Sequence, residues 1–124
     1  MVGSDDLTGM TTYRVYAVLE NSDDVISALI GDEEYPGFFS TSTSFFQHSI
    51  GSVTPSGLNP AFYPAFPSLE FDSWITIGIE RSPQAGEGTI SILEEDTEPW
   101  TAPFENGDNI DLTGTLGGGW YTFT

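Results

Sequence analysis

Apolar positions in this chain fall in short runs separated by glycine, proline and acidic residues, and within most runs the period is two. Residues 12–19 (TYRVYAVL) mix β-branched and aromatic side chains and carry apolar groups on both faces, which predicts a central strand. Residues 74–80 (WITIGIE) alternate. Ile75, Ile77 and Ile79 point one way, while Trp74, Thr76 and Glu80 point the other. Residues 89–93 (TISIL) repeat that pattern, and the intervening RSPQAGEG is a Pro/Gly connection of hairpin length, so an antiparallel pair is expected.

Shorter strand signals lie at residues 25–30, 38–46 and 110–112, and in the final WYTFT. The stretch DDVISALIG also fits a short helix capped by Asp23 or Asp24, but its brevity and terminal glycine favour a strand or a single turn. Fourteen glycines and eight prolines punctuate the chain at the spacing of an all-β fold. These signals predict one domain over residues 1–124, an antiparallel β-sandwich of jelly-roll or immunoglobulin-like type. WYTFT follows a run of three glycines directly, so it is expected either to close the sheet as an edge strand or to leave an edge that another molecule completes.

The segment GLNPAFYPAFPSLEFDSW, residues 57–74, concentrates proline and aromatic side chains. Its first part is too rich in proline for an interior strand and reads as a long ordered loop, a lid over the core. Leu69 and Phe71 are expected to anchor that lid. Phe62, Tyr63 and Phe66, together with Trp74, are then the candidate binding or assembly surface. An extended EFDSW would also put Glu70, Asp72 and Trp74 on one side, as a sugar-binding patch requires.

Composition narrows the partners. A hydrophobic content of 38% with 14% aromatics is too high for a disordered chain, even at a net charge of −17. The only cations are Arg14 and Arg81, against 19 acidic residues. Such a polyanion is repelled by nucleic acid and anionic lipid, which bind through Lys and Arg. High negative charge is tolerated best in salty or calcium-containing media outside the cell, although solubility alone also explains it. There is no cysteine, so no disulfide or zinc-thiolate site is available. MVGSDDLTGM lacks the cationic and apolar regions of a signal peptide, and no run is long enough for a membrane-spanning helix.

Candidate chemistry is sparse. Ser52 lacks a Gly-x-Ser-x-Gly frame, His48 is the sole histidine, and no carboxylate pair or phosphate loop is singled out, so no enzyme is expected. Acidic groups cluster at Asp23 and Asp24, at Asp32, Glu33 and Glu34, at Glu94, Glu95 and Asp96, and within NGDNID. The last offers Asn106, Asp108, Asn109 and Asp111 as oxygen ligands. Asp108, Asn109 and Asp111 are therefore the candidate Ca2+ ligands, weighed against a metal-free Asx-rich turn. The run FFSTSTSFF alternates Ser40, Ser42 and Ser44 with Thr41 and Thr43, as a polar edge strand or a tract for O-linked glycan would.

The order TTYRVYAVLEN, a Gly31-Asp32 turn, FFQHSIGSVTPSGLNPAFYPAFPSLEFDSWITIG and GGGWY resembles a β-domain that recurs in secreted and cell-surface multidomain proteins of marine and aquatic bacteria. NPAFYPAFPSLEFDSWITIG is the most specific part. The resemblance implies an extracellular address and a structural or adhesive setting, with no catalytic residues. The expected function is a non-catalytic extracellular assembly domain, either a cell-surface module or a self-associating fibre subunit. The alternative is a calcium-dependent carbohydrate-binding or adhesion module.

Overall fold

A computed structural model describes residues 7–123. Among them are five short strands: β1 (Ala28–Gly31), β2 (Gly37–Phe39), β3 (Ile90–Leu93), β4 (Ile110–Leu112) and β5 (Gly118–Thr122). The helix α1 (Thr101–Glu105) lies between β3 and β4. One antiparallel sheet has the order β1-β5-β3, and a second antiparallel pair joins β2 to β4. The register sets Leu29 and Ile92 on either side of Trp120, and Phe38 opposite Asp111.

Glycine is what lets β5 take the central place. A Cβ at Gly119 would sit 2.0 Å from the Leu29 carbonyl oxygen, and one at Gly118 would stand 3.0 Å from the Trp100 ring. Real side chains do not approach backbone that closely, so the sequence GGW delivers a bare backbone between two strands and then a large core side chain. Trp120 packs on Trp100 with ring centroids 5.5 Å apart and on Phe39 at 5.9 Å. Both indole N–H groups donate to backbone, Trp100 to Leu93 and Trp120 to Thr76, so neither ring buries an unsatisfied donor. Ile75, Phe104, Ile110 and Leu112 complete this buried cluster.

The expected β-sandwich does not form. The strands are only three to five residues long and make two small antiparallel sheets, with no closed sandwich. Much of the polypeptide between them runs as turns and 3-10 segments, because Pro55, Pro60 and Pro67 each start a turn that no ladder could continue.

Several expected elements change accordingly. Residues 12–19 lie exposed and form no strand, with no backbone partner among the described residues. Residues 74–80 do not make a strand either: Ile75 bonds once to the Val53 carbonyl, and Gly78 at φ +80° turns the chain out of the pleat. β3 does form within 89–93, but its partner is β5. Of the 38–46 run only Phe38 and Phe39 pair, in β2. The C-terminal strand is central where an edge was the first expectation, and Thr124 and residues 1–6 lie outside the described residues. Phe71, expected to anchor the lid, is exposed, whereas Leu69 is fully buried as expected.

Candidate functional site

Three features of the surface bear on function: a groove beside α1, the proline-aromatic lid, and the exposed arm of residues 11–19. The groove is built from separated stretches of chain. Glu94 fixes one wall by accepting the Trp100 and Thr101 amides at 2.9 and 3.0 Å and the Thr101 hydroxyl at 2.8 Å. Burial opposes ionisation of Glu94, but those hydrogen bonds outweigh it and hold the carboxyl below its usual range. The opposite wall is the β2–β4 pair. Between the walls opens a groove of about 620 Å3 lined by Phe38, Glu98, Trp100, Asp108, Asn109 and Asp111 together with neighbouring loop residues.

The structure therefore brings Asp108, Asn109 and Asp111 to one groove. Within it Asn109 Oδ1 accepts the Thr41 amide at 3.2 Å, and Asp111 accepts the Thr113 hydroxyl. Among the described residues no three His, Cys, Asp or Glu side chains converge as metal ligands. Half-exposed Phe38 and carboxylates around an aromatic floor suit stacking against a sugar ring with hydroxyls bonded at its rim. Phe38, Glu98 and Trp100 were missed as members of this site because they reach it from two other stretches, Phe38 from β2 and Glu98 and Trp100 from the loop before α1.

The lid holds Phe62, Tyr63 and Phe66. Asn59 caps its first turn by accepting the Ala61 amide at 3.0 Å, and the Phe66 amide bonds the Phe62 carbonyl at 2.8 Å. Phe62 is exposed, while Tyr63 and Phe66 are half-buried. Phe66 leans edge-on against His48, 5.9 Å away. EFDSW is not extended, since Pro67–Phe71 is a 3-10 turn, and Asp72 is buried rather than beside Trp74 on a strand face.

Asp72 and His48 form a knot under this lid. The two carboxylate oxygens accept the His48 and Ser52 amides, each at 2.9 Å, and His48 Nδ1 accepts the Ile50 amide at 3.1 Å. Burial raises the Asp72 carboxyl above its usual value despite the lowering effect of those two amides. His48 Nε2 is buried, with the Phe46 and Phe66 rings edge-on to the imidazole, and has no hydrogen-bond partner among the described residues. Ser52 Oγ accepts the Thr54 amide at 3.4 Å, and among the described residues no hydrogen bond joins it to the imidazole.

The arm carries four strongly exposed apolar side chains, Tyr13 82%, Val15 83%, Tyr16 71% and Val18 94%. It touches the body through Arg14, which pairs with Glu80 and lies 5.8 Å above the Trp74 ring. Tyr16 reaches the same Glu80 at 3.5 Å. Trp74 is thus covered on one side by a guanidinium, a contact worth about 0.5–1 kcal/mol at such an exposed site. No protein family, curated protein or solved structure matches this chain.

Proposed function

We propose that this chain is a non-catalytic assembly domain that works outside the cell and associates with further copies of itself. One observation carries the reading. In a polyanion of net charge −17, six of the sixteen exposed large apolar side chains among the described residues lie within residues 10–19, on an extended arm whose residues 11–19 have no backbone partner among the described residues. Patches of this kind mark association surfaces. The acidic composition supports an extracellular setting, where salt screens the repulsion between copies. Multi-angle light scattering and electron microscopy across protein concentration, in about 0.5 M NaCl, test the reading. Oligomers or polymers are the expected result, and a clean monomer at millimolar concentration would count decisively against it.

The groove favours a second reading, glycan binding, because Phe38 stands exposed among Glu98, Asp108, Asn109 and Asp111. A glycan array run with calcium and with EDTA tests it and separates direct from calcium-dependent recognition. Absence of binding in both conditions would remove it.

A further inference from the structure

We propose that residues 11–19 act as a donated strand that pairs with the free edge of β1 in a second copy of the chain. The inference rests on the assembly reading and names its surface and its partner. Residues 12–19 have the composition of a strand buried on both faces, yet they are exposed along their length and have no backbone partner among the described residues. A segment of that kind gains most by joining a sheet, where its amides and carbonyls are satisfied and its valines and tyrosines are shielded.

The receiving edge is present in the same molecule. β1 is bonded on one side to β5, and among the described residues its other side takes no backbone partner. Its sequence, ALIG, is uncharged and includes an exposed Ile30. Within one copy the arm lies with Arg14 at Glu80 and Trp74 and not along its own β1. Each copy therefore carries an unpaired strand and, at β1, an open edge to receive it, which is the requirement for a reciprocal, two-fold exchange.

Charge selects a second copy as the occupant. Residues 7–19 contain Arg14 and neither Asp nor Glu, in a chain with 19 acidic residues. The arm is therefore net positive and is attracted, not repelled, by the acidic surface of another copy, and β1 opposes it with no carboxylate. Arg14 is freed in the exchange to meet the acidic turn of Asp32, Glu33 and Glu34 that follows the receiving edge.

The chain lacks cysteine, so single introduced thiols report the pairing cleanly. Copies carrying Val15→Cys or Tyr16→Cys are mixed with copies carrying Ile30→Cys under mild oxidation. Disulfide-linked heterodimers are expected between unlike copies. In parallel, Val15→Glu with Val18→Glu changes two side chains that are already solvent-exposed, so the fold is not put at risk. That variant is expected to raise the association midpoint about tenfold or more, from the apolar burial it abolishes. If oligomers form with an unchanged midpoint in the Glu variant and no mixed disulfide appears, the arm–edge pairing is overturned while the assembly reading stands. If the unmodified chain stays monomeric at every concentration, both fall.

Discussion

Replacing Gly119 by alanine tests whether the close passage of β5 between its neighbours is what permits the central sheet. The added Cβ would lie 2.0 Å from the Leu29 oxygen and 2.9 Å from the Ile30 Cα, both backbone atoms that no rotamer change can move. Ordinary contact begins at 3.4 Å, so β1 must retreat by about 1.4 Å at that point. A shift of that size breaks the nearest one or two hydrogen bonds of the β1–β5 ladder, each worth about 0.5–1.5 kcal/mol net. Overpacking adds about 1–3 kcal/mol. The sum is roughly 1.5–6 kcal/mol, a large part of the 5–15 kcal/mol typical of a whole domain.

Urea unfolding followed by tryptophan fluorescence reads this directly, since Trp120 is the next residue. With a slope of about 1–3 kcal/mol per molar, the midpoint should fall by about 1–3 M at unchanged slope. Gly78→Ala is the control. Its φ of +80° imposes left-handed strain on an alanine, but no atom lies within 4 Å of the new methyl. It should cost about 1–2 kcal/mol. A Gly119→Ala midpoint equal to or above that of the control would refute the close-packing argument.

Glu94→Ala removes the acceptor for the Trp100 and Thr101 amides and should cost about 0.5–2 kcal/mol by urea midpoint. Because the Glu94 carboxyl is lowered in the folded protein, its contribution is present above pH 4.5 and lost as pH falls through the depressed value, so the gap between wild type and variant should close in acid. Asp72 has the opposite sign. Its carboxyl is raised by burial, so its contribution is complete below pH 3.8 and lost as pH rises through the raised value. The stability advantage of wild type over Asp72→Asn should therefore shrink with rising pH, and an advantage that grows would contradict the burial argument. Finally, NaCl should raise the thermal midpoint, by roughly 4 °C for each 1 kcal/mol of repulsion screened, because the net charge is −17 and both arginines are already paired. A flat scanning-calorimetry series from about 0.05 to 1 M would show that self-repulsion is not limiting.

Local pattern was legible where a strand is short and its neighbours are strong punctuators. ISIL, IDL and the strand after the glycine run were readable because alternation and turn residues agree there. Pairing was not readable. The alternation of Ile75, Ile77 and Ile79 resembles a strand, yet Gly78 turns the backbone and Ile75 serves the core from a loop. Residues 12–19 have the strongest strand composition of all, but composition reports what a segment would gain from a sheet and not whether one receives it.

The same divide applies to the candidate site. Asp108, Asn109 and Asp111 could be grouped because they are adjacent in sequence. Phe38 joins them through its register with Asp111, and Glu98 through the loop leading into α1, neither of which leaves a periodic trace. Asp72 was placed beside Trp74 by assuming an extended chain. Pro67 instead starts a turn that carries its carboxylate inward to the His48 and Ser52 amides.

The strand order β1-β5-β3 also dictates when this molecule can fold as it is made. β1 and β3 do not bond to each other, so neither has a sheet partner until Gly118–Thr122 has left the ribosome. At about 5–20 residues per second, β1 waits roughly 5–20 s for its neighbour. During that interval Trp100 lacks Trp120 as its packing partner, and the nascent chain presents unsatisfied strand edges to the cytosol or the translocation machinery. Its high acidity then acts as a safeguard in synthesis, keeping neighbouring nascent chains apart until the last strand arrives.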